Sequence, residues 1–226
     1  MYIKNRVTAL IYRSVLLIVC GVGLYITLGF YRGQFSPYSL VYYTTLSNLI
    51  CFIFYLPMIL HNAIKLRSQD ETDAFFAPRI KGAVVIMITI TLTIYHAFLA
   101  NSLFSIYSGG DLVYFIQNLI VHYIVPIMVI LDWILFDPKQ MLRPLDPVLC
   151  LMIPAAYAAF AIIRAKFGDV LPGLASRYPY FFMDFDLMGY GRVVGFFAVF
   201  LVIYLGVGYG LWILDSFVLR KRVAMK

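Results

Sequence analysis

The stretch DLVYFIQNLIVHYIVPIMVILDWILF, residues 111–136, decides the fold. Between Asp111 and Asp132 it contains no Asp, Glu, Lys or Arg. As a helix it crosses the roughly 30 Å of a bilayer's hydrocarbon core, which takes about 20 residues. Five other stretches share this character, and we place all six at 8–30, 37–61, 80–104, 111–136, 146–166 and 190–217. They occupy most of the 226 residues. The reading is an all-α, polytopic integral membrane protein whose six transmembrane helices form one domain, 1–226. The runs are continuous, whereas a membrane β-barrel is written in short alternating strands.

Composition agrees. The chain is 63% hydrophobic and 13% charged, with a mean hydropathy of +0.88. Soluble domains average about 25% charged residues. Lys and Arg outnumber Asp and Glu by 18 to 11, but their positions argue against nucleic-acid binding. Lys4, Arg6, Lys65, Arg67, Arg79, Lys81, Lys139, Arg143, Arg220, Lys221, Arg222 and Lys226 flank one side of the six-span arrangement. Arg32, Arg164, Lys166, Arg177 and Arg192 flank the other. That asymmetry follows the positive-inside rule and places both termini in the cytoplasm. Trp133 and Trp212 fall near the inner ends of helices 4 and 6, as in an aromatic belt.

Lys4 and Arg6 ahead of an apolar run mimic a signal peptide, but the run is long and no small-residue cleavage site precedes Tyr31-Arg32-Gly33. It reads as an uncleaved first helix. Cys20, Cys51 and Cys150 lie inside spans without paired spacing, as small apolar core residues would. The run Ser68-Gln69-Asp70-Glu71-Thr72-Asp73 reads as a solvated linker, and Tyr107-Ser108-Gly109-Gly110 as a turn, with Asp111 capping helix 4. Pro144 and Pro147 mark the start of helix 5, and Pro154 is expected to kink it. The segment 167–189 is long for a bundle connection, which suggests a lid or cap.

Polar residues inside the spans carry the functional signal. Thr44, Thr45 and Asn48 lie in helix 2, and Asn118 and His122 in helix 4. Asn and His in hydrocarbon cost several kcal/mol unless partnered. By helical rise, Thr44 lies about 10 Å deep, His122 about 16 Å and His96 of helix 3 about 12 Å, all in the outer half. Thr44 and Asn48 are four apart, as are Asn118 and His122, so each pair shares a helix face. Thr93 and His96 form a similar pair. Each stripe is expected to face inward, because lipid offers such groups no partner.

Such a set suits nucleophilic acyl transfer. An imidazole can take the proton of a threonine hydroxyl during attack, and Asn side chains can orient the base or stabilise an oxyanion. The bland alternative is that Thr and Asn only bond between helices, for about 1 kcal/mol or less each. Two further readings compete. His96 and His122 on neighbouring helices match the axial ligands of a b-type haem, which would make a redox protein. Arg13, Asp132 and Asp215 could mark a transport path, although their inner-edge positions favour a structural ion pair. Arg192 at the start of helix 6 is placed to pair with Asp184 or Asp186, or to bind an anionic head group.

Four motifs carry a resemblance. Tyr43-Thr44-Thr45-Leu46-Ser47-Asn48-Leu49, Ile94-Tyr95-His96, Asn118-Leu119-Ile120-Val121-His122-Tyr123 with Pro126, and Tyr178-Pro179-Tyr180-Phe181-Phe182-Met183-Asp184 with Gly189-Tyr190-Gly191-Arg192 resemble the bacterial Pr-six-Pr membrane proteins. That group is similar to the animal androgen-induced and ADTRP membrane proteins, threonine hydrolases of fatty acid esters of hydroxy fatty acids. The resemblance implies a bacterial cell-membrane location and a membrane-embedded lipid or fatty acid ester substrate. It implies His122 as catalytic base, since an Asn precedes it by four in both groups. Thr44 matches the threonine of the bacterial motif, whereas counting back from Asn48 makes Thr45 the counterpart of the animal one. The His-to-Pro spacing is one residue shorter than in the animal pattern. His96 belongs to the bacterial version alone. The expected site is therefore Thr44 or Thr45 with His122, with Asn48, Asn118, His96, Tyr43, Tyr180, Asp184 and Arg192 toward the substrate. It requires no metal and no organic cofactor. The alternative is a non-catalytic lipid-binding or transport protein. The acyl chain, the physiological substrate and the oligomeric state are not written in the sequence.

Overall fold

A computed structural model describes residues 3–67, 77–99 and 111–218. The linker at 68–73, the turn at 107–110 and the basic residues 220–222 and 226 lie outside the described residues. Within them the regular structure is entirely helical. Six helices are long and apolar enough to cross a membrane: α1 (Arg6–Thr27), α2 (Tyr43–Arg67), α3 (Pro78–Leu99), α4 (Leu112–Phe136), α5 (Asp146–Phe167) and α6 (Tyr190–Phe217). Their outer faces are apolar, with Ile18, Ile53, Ile163 and Val202 exposed.

The boundaries differ from the sequence reading where local chemistry intervenes. Helix 2 begins at Tyr43, not near residue 37, because Pro37–Val41 forms a separate 3₁₀ turn. Thr44 therefore sits in the first turn of α2. Asp111 caps α4 by accepting from the Tyr114 N–H at 3.0 Å. Helix 5 is interrupted at Cys150 and Leu151, between Asp146–Leu149 and Met152–Phe167. Pro154 thus lies in the first turn of the second piece, where its missing N–H costs little.

α3 is central, packed on α2, α4 and α6, while α1 packs on α2 and α4. One core runs through the bundle, including Leu16, Cys51, Tyr55, Ile86, Val125 and Trp133. Trp133 is buried in that core and so belongs to no interfacial belt. All three cysteines are buried free thiols. A smaller cluster joins Ala161 of α5 to Phe182 and Met183 of the connection 168–189.

At the end of the bundle remote from Thr44, four ionised side chains are buried together. Arg13 Nε reaches Asp132 Oδ1 at 2.8 Å and its Nη2 reaches Asp137 Oδ1 at 2.9 Å. Lys81 Nζ pairs with Asp132 and lies 2.7 Å from Asp137 Oδ1. The Tyr55 hydroxyl donates to Asp132 Oδ2 at 3.0 Å. Two cations thus balance two carboxylates between α1, α2, α3 and the end of α4. Lys81, read from sequence as a flanking charge, is only 2% exposed. Asp215 sits apart from this set, accepting the Leu142 N–H at 2.9 Å.

Candidate active site

The site begins with an irregularity in α4. Pro126 has no N–H, so it cannot donate to the carbonyl four residues earlier, and its ring crowds that carbonyl. The helix answers by widening into a π turn over Ile120–Ile124, where the Val125 N–H bonds to the Ile120 carbonyl. In a regular helix Val125 would bond to the Val121 carbonyl. That released carbonyl accepts from Asn48 Nδ2 of α2 at 3.0 Å. The same Nδ2 donates to the Thr44 carbonyl at 2.8 Å. Asn48 therefore fastens the first turn of α2 to the π turn of α4. Gly23 of α1 admits the bulge, since a Cβ there would lie 2.6 Å from Ile120 Cγ2.

This fastening brings Thr44 and His122 together: Oγ1 and Nε2 are 3.1 Å apart. The direction of the bond follows from the other nitrogen. Nδ1 lies 3.1 Å from the Asn118 carbonyl, which can only accept. Nδ1 therefore carries the proton, Nε2 presents its lone pair, and the Thr44 hydroxyl donates to it. Asn118 is held in turn by donating to the Tyr114 carbonyl at 2.9 Å. Tyr95 of α3 stacks on the imidazole, and its hydroxyl lies 3.4 Å from Asn118 Oδ1. Such an arrangement polarises an alcohol toward an alkoxide and offers its proton a base.

Thr44 lies on the wall of a cavity of about 480 Å³ whose lining is almost wholly apolar and aromatic. His122 stands behind Thr44, outside that wall and 9% exposed. The hydroxyl thus separates the base from the cavity. Thr45 is 2% exposed and does not line the cavity. Tyr43 does, with its ring set edge-to-face on Tyr157 at 5.1 Å. The connection 168–189 folds over the same space and contributes Tyr180, which lines the cavity together with Thr44. Burial raises the phenol's pKa above its ordinary 10, so at neutral pH it is a hydrogen-bond donor. Asp184 is buried in a structural role, accepting the Asp186 and Leu187 N–H groups and the Ser176 hydroxyl.

Other expected site residues lie elsewhere. His96 is exposed and turned outward, with Nδ1 3.2 Å from the Tyr123 hydroxyl. Its stripe does not face inward; Tyr95, where the π turn Tyr95–Leu99 begins, lies in the interior instead. Arg192 is exposed and pairs with neither expected aspartate, Asp186 being bound by Arg177 at 3.0 Å. Asn48 and Asn118 hold backbone and do not line this cavity. The sequence reading missed Tyr95 as the support of His122. Its one signal was its place beside His96, and an aromatic in an apolar span carries no mark of its own. Compared with protein-family models, curated proteins and solved structures, the chain matches none.

Proposed function

We propose that the protein is a multi-pass hydrolase of lipid esters in the bacterial cell membrane, with both termini cytoplasmic. The Thr44 hydroxyl, bonded to the free lone pair of His122 on the wall of an apolar cavity, carries this reading. The resemblance of the Thr44 and His122 motifs, by way of the bacterial Pr-six-Pr proteins, to membrane threonine hydrolases supports it. Thr44 Oγ1 attacks the acyl carbonyl while its proton passes to His122 Nε2. The tetrahedral intermediate collapses, and His122 returns the proton to the departing alcohol. Water then attacks the acyl-threonine with His122 again as base, releasing the acid and restoring Thr44. The stacked π face of Tyr95 is favourably placed against the transient imidazolium. The Tyr180 phenol, a donor beside Thr44, is suited to the developing oxyanion.

A lipid-binding protein without chemistry needs the same cavity but no polarised hydroxyl. A haem held by His96 and His122 fits poorly, since both His122 nitrogens are engaged and His96 faces outward. A fluorophosphonate probe separates the readings. Labelling is expected at Thr44, lost in Thr44→Ala and His122→Ala, and retained in Thr45→Ala. Labelling that survives both Thr44→Ala and His122→Ala rejects the assignment.

A further inference from the structure

The cavity beside Thr44 continues past the hydroxyl. Its wall runs along the seam between α5 and α6, past Leu151 and Ala155 on one helix and Phe197, Leu201 and Tyr204 on the other. From Phe197 to Tyr204 the α6 side covers about 10 Å at the helical rise. The Tyr204 hydroxyl is already committed there, donating to the Cys150 carbonyl at 3.1 Å.

The seam has a structural origin. α5 and α6 meet tightly at the start of α5, where a Cβ on Gly208 would fall 2.9 Å from Pro147 Cβ. Beyond the interruption at Cys150 and Leu151 the helices diverge, and the backbone of Met152–Phe167 stands off from the rest of the bundle. Side chains and the cavity fill the gap. Two residues of the cavity wall, Ala155 and Leu201, are also exposed on the outside of the bundle. Their neighbours on that flank, Ala156 and Val202, are exposed and apolar as well. Two wall residues thus reach an apolar side of the molecule, away from its polar ends, and a mouth there would open between them.

We propose that this mouth is a lateral port, and that the seam behind it holds one long acyl chain taken directly from the lipid phase. Delivery of the carbonyl to Thr44 rests on the hydrolase reading, whereas binding in the seam does not. The chemistry of the wall selects the occupant. It is mostly apolar and aromatic along the seam, and the same wall carries the Thr44 hydroxyl, beside which an ester carbonyl would sit. The volume falls within the range of about 300–1,000 Å³ of single-ligand sites. Entry from the side also spares a chain the transfer through water, worth about 0.8 kcal/mol per methylene.

The test uses the full chain in phospholipid nanodiscs with a palmitate analogue bearing a photoreactive diazirine. It is expected to label the α5 and α6 peptides that contain Ala155 and Leu201, in the Thr44→Ala variant as in the unchanged protein. Ala155→Trp and Leu201→Trp fill the mouth from opposite sides. Each should lower that labelling at least fivefold, and lower the turnover of a palmitoyl relative to an acetyl ester at least tenfold. Ala156→Trp, exposed but outside the cavity wall, should leave both readouts unchanged. Coupling a bulky maleimide to folded Ala155→Cys gives the same block without a tryptophan present during folding. Labelling outside the seam, or labelling undiminished by the blocked mouth, overturns the port. Seam labelling without any ester turnover upholds the port and overturns only the hydrolase reading.

Discussion

Tyr95 lies flat on His122, with ring centroids 3.6 Å apart and planes 19° from parallel. The contact fixes the plane of the imidazole, while the Asn118 carbonyl fixes its tautomer. Tyr95→Leu should therefore misorient the base and lower kcat about 10- to 100-fold, as small displacements of a catalytic group do, with less change in KM. Tyr95→Phe keeps the stack and loses the hydroxyl with its long bond to Asn118, so it should stay within about threefold of the unchanged protein. Equal losses in the two variants would refute stacking as the operative contact. Steady-state hydrolysis of a soluble ester gives the comparison.

Tyr180 lines the cavity with Thr44, and its protonated phenol is available to donate there. Tyr180→Phe removes the hydroxyl and keeps the ring. The expected result is a fall in kcat of about 100-fold, the scale of a lost oxyanion-hole donor, with KM little changed. Fluorophosphonate labelling should slow in parallel, because the probe's phosphoryl oxygen needs the same donor. A variant as fast as the unchanged protein in both assays would limit Tyr180 to lining the cavity.

The span positions were legible because length and apolarity alone announce a membrane helix. That a threonine at the start of helix 2 meets His122 was legible from similar depth and from residues four apart sharing a face, which left Thr44 and Thr45 undistinguished. What faces inward was harder to read. An apolar exterior and an apolar core leave no periodic contrast, so nothing in the sequence distinguished the face of Tyr95 from that of His96. The π turn of α4 had a visible cause in Pro126, whereas nothing in the sequence marked the one over Tyr95–Leu99. Lys81 eluded the reading for another reason. Its acidic partners stand 51 and 56 residues away, and a flanking lysine looks the same whether it snorkels or is buried.

That buried lysine gives a prediction remote from the site. Lys81→Met leaves Asp132 and Asp137 with Arg13 as their one remaining salt-bridge partner among the described residues. An uncompensated buried charge costs about 3–5 kcal/mol, so the variant should unfold at markedly lower temperature. Adding Asp137→Asn removes the excess charge and should recover part of the loss. Additive destabilisation in the double variant would contradict the coupling. Thermal unfolding in detergent, followed by circular dichroism, reports all three proteins.

Lys139, in the connection after α4, contributes a pH dependence to stability. Its ammonium lies 4.2 Å from the centre of the Trp133 ring. Burial there holds its pKa down to about 8, against the opposing pull of Asp137 and Asp215. In the unfolded chain a lysine titrates near its ordinary value of about 10.4. Between those values the unfolded chain binds more protons than the folded one, so this group makes stability rise with pH. Below pH 8 both states are protonated and the contribution is constant. Raising the pH from 8 to 10 should therefore lift the unfolding temperature more in the unchanged protein than in Lys139→Met, where the titrating group is gone. Tryptophan fluorescence during heating measures both, since Trp133 lies directly under the ammonium. Equal pH slopes in the two proteins would mean that Lys139 keeps an ordinary lysine pKa in the folded state.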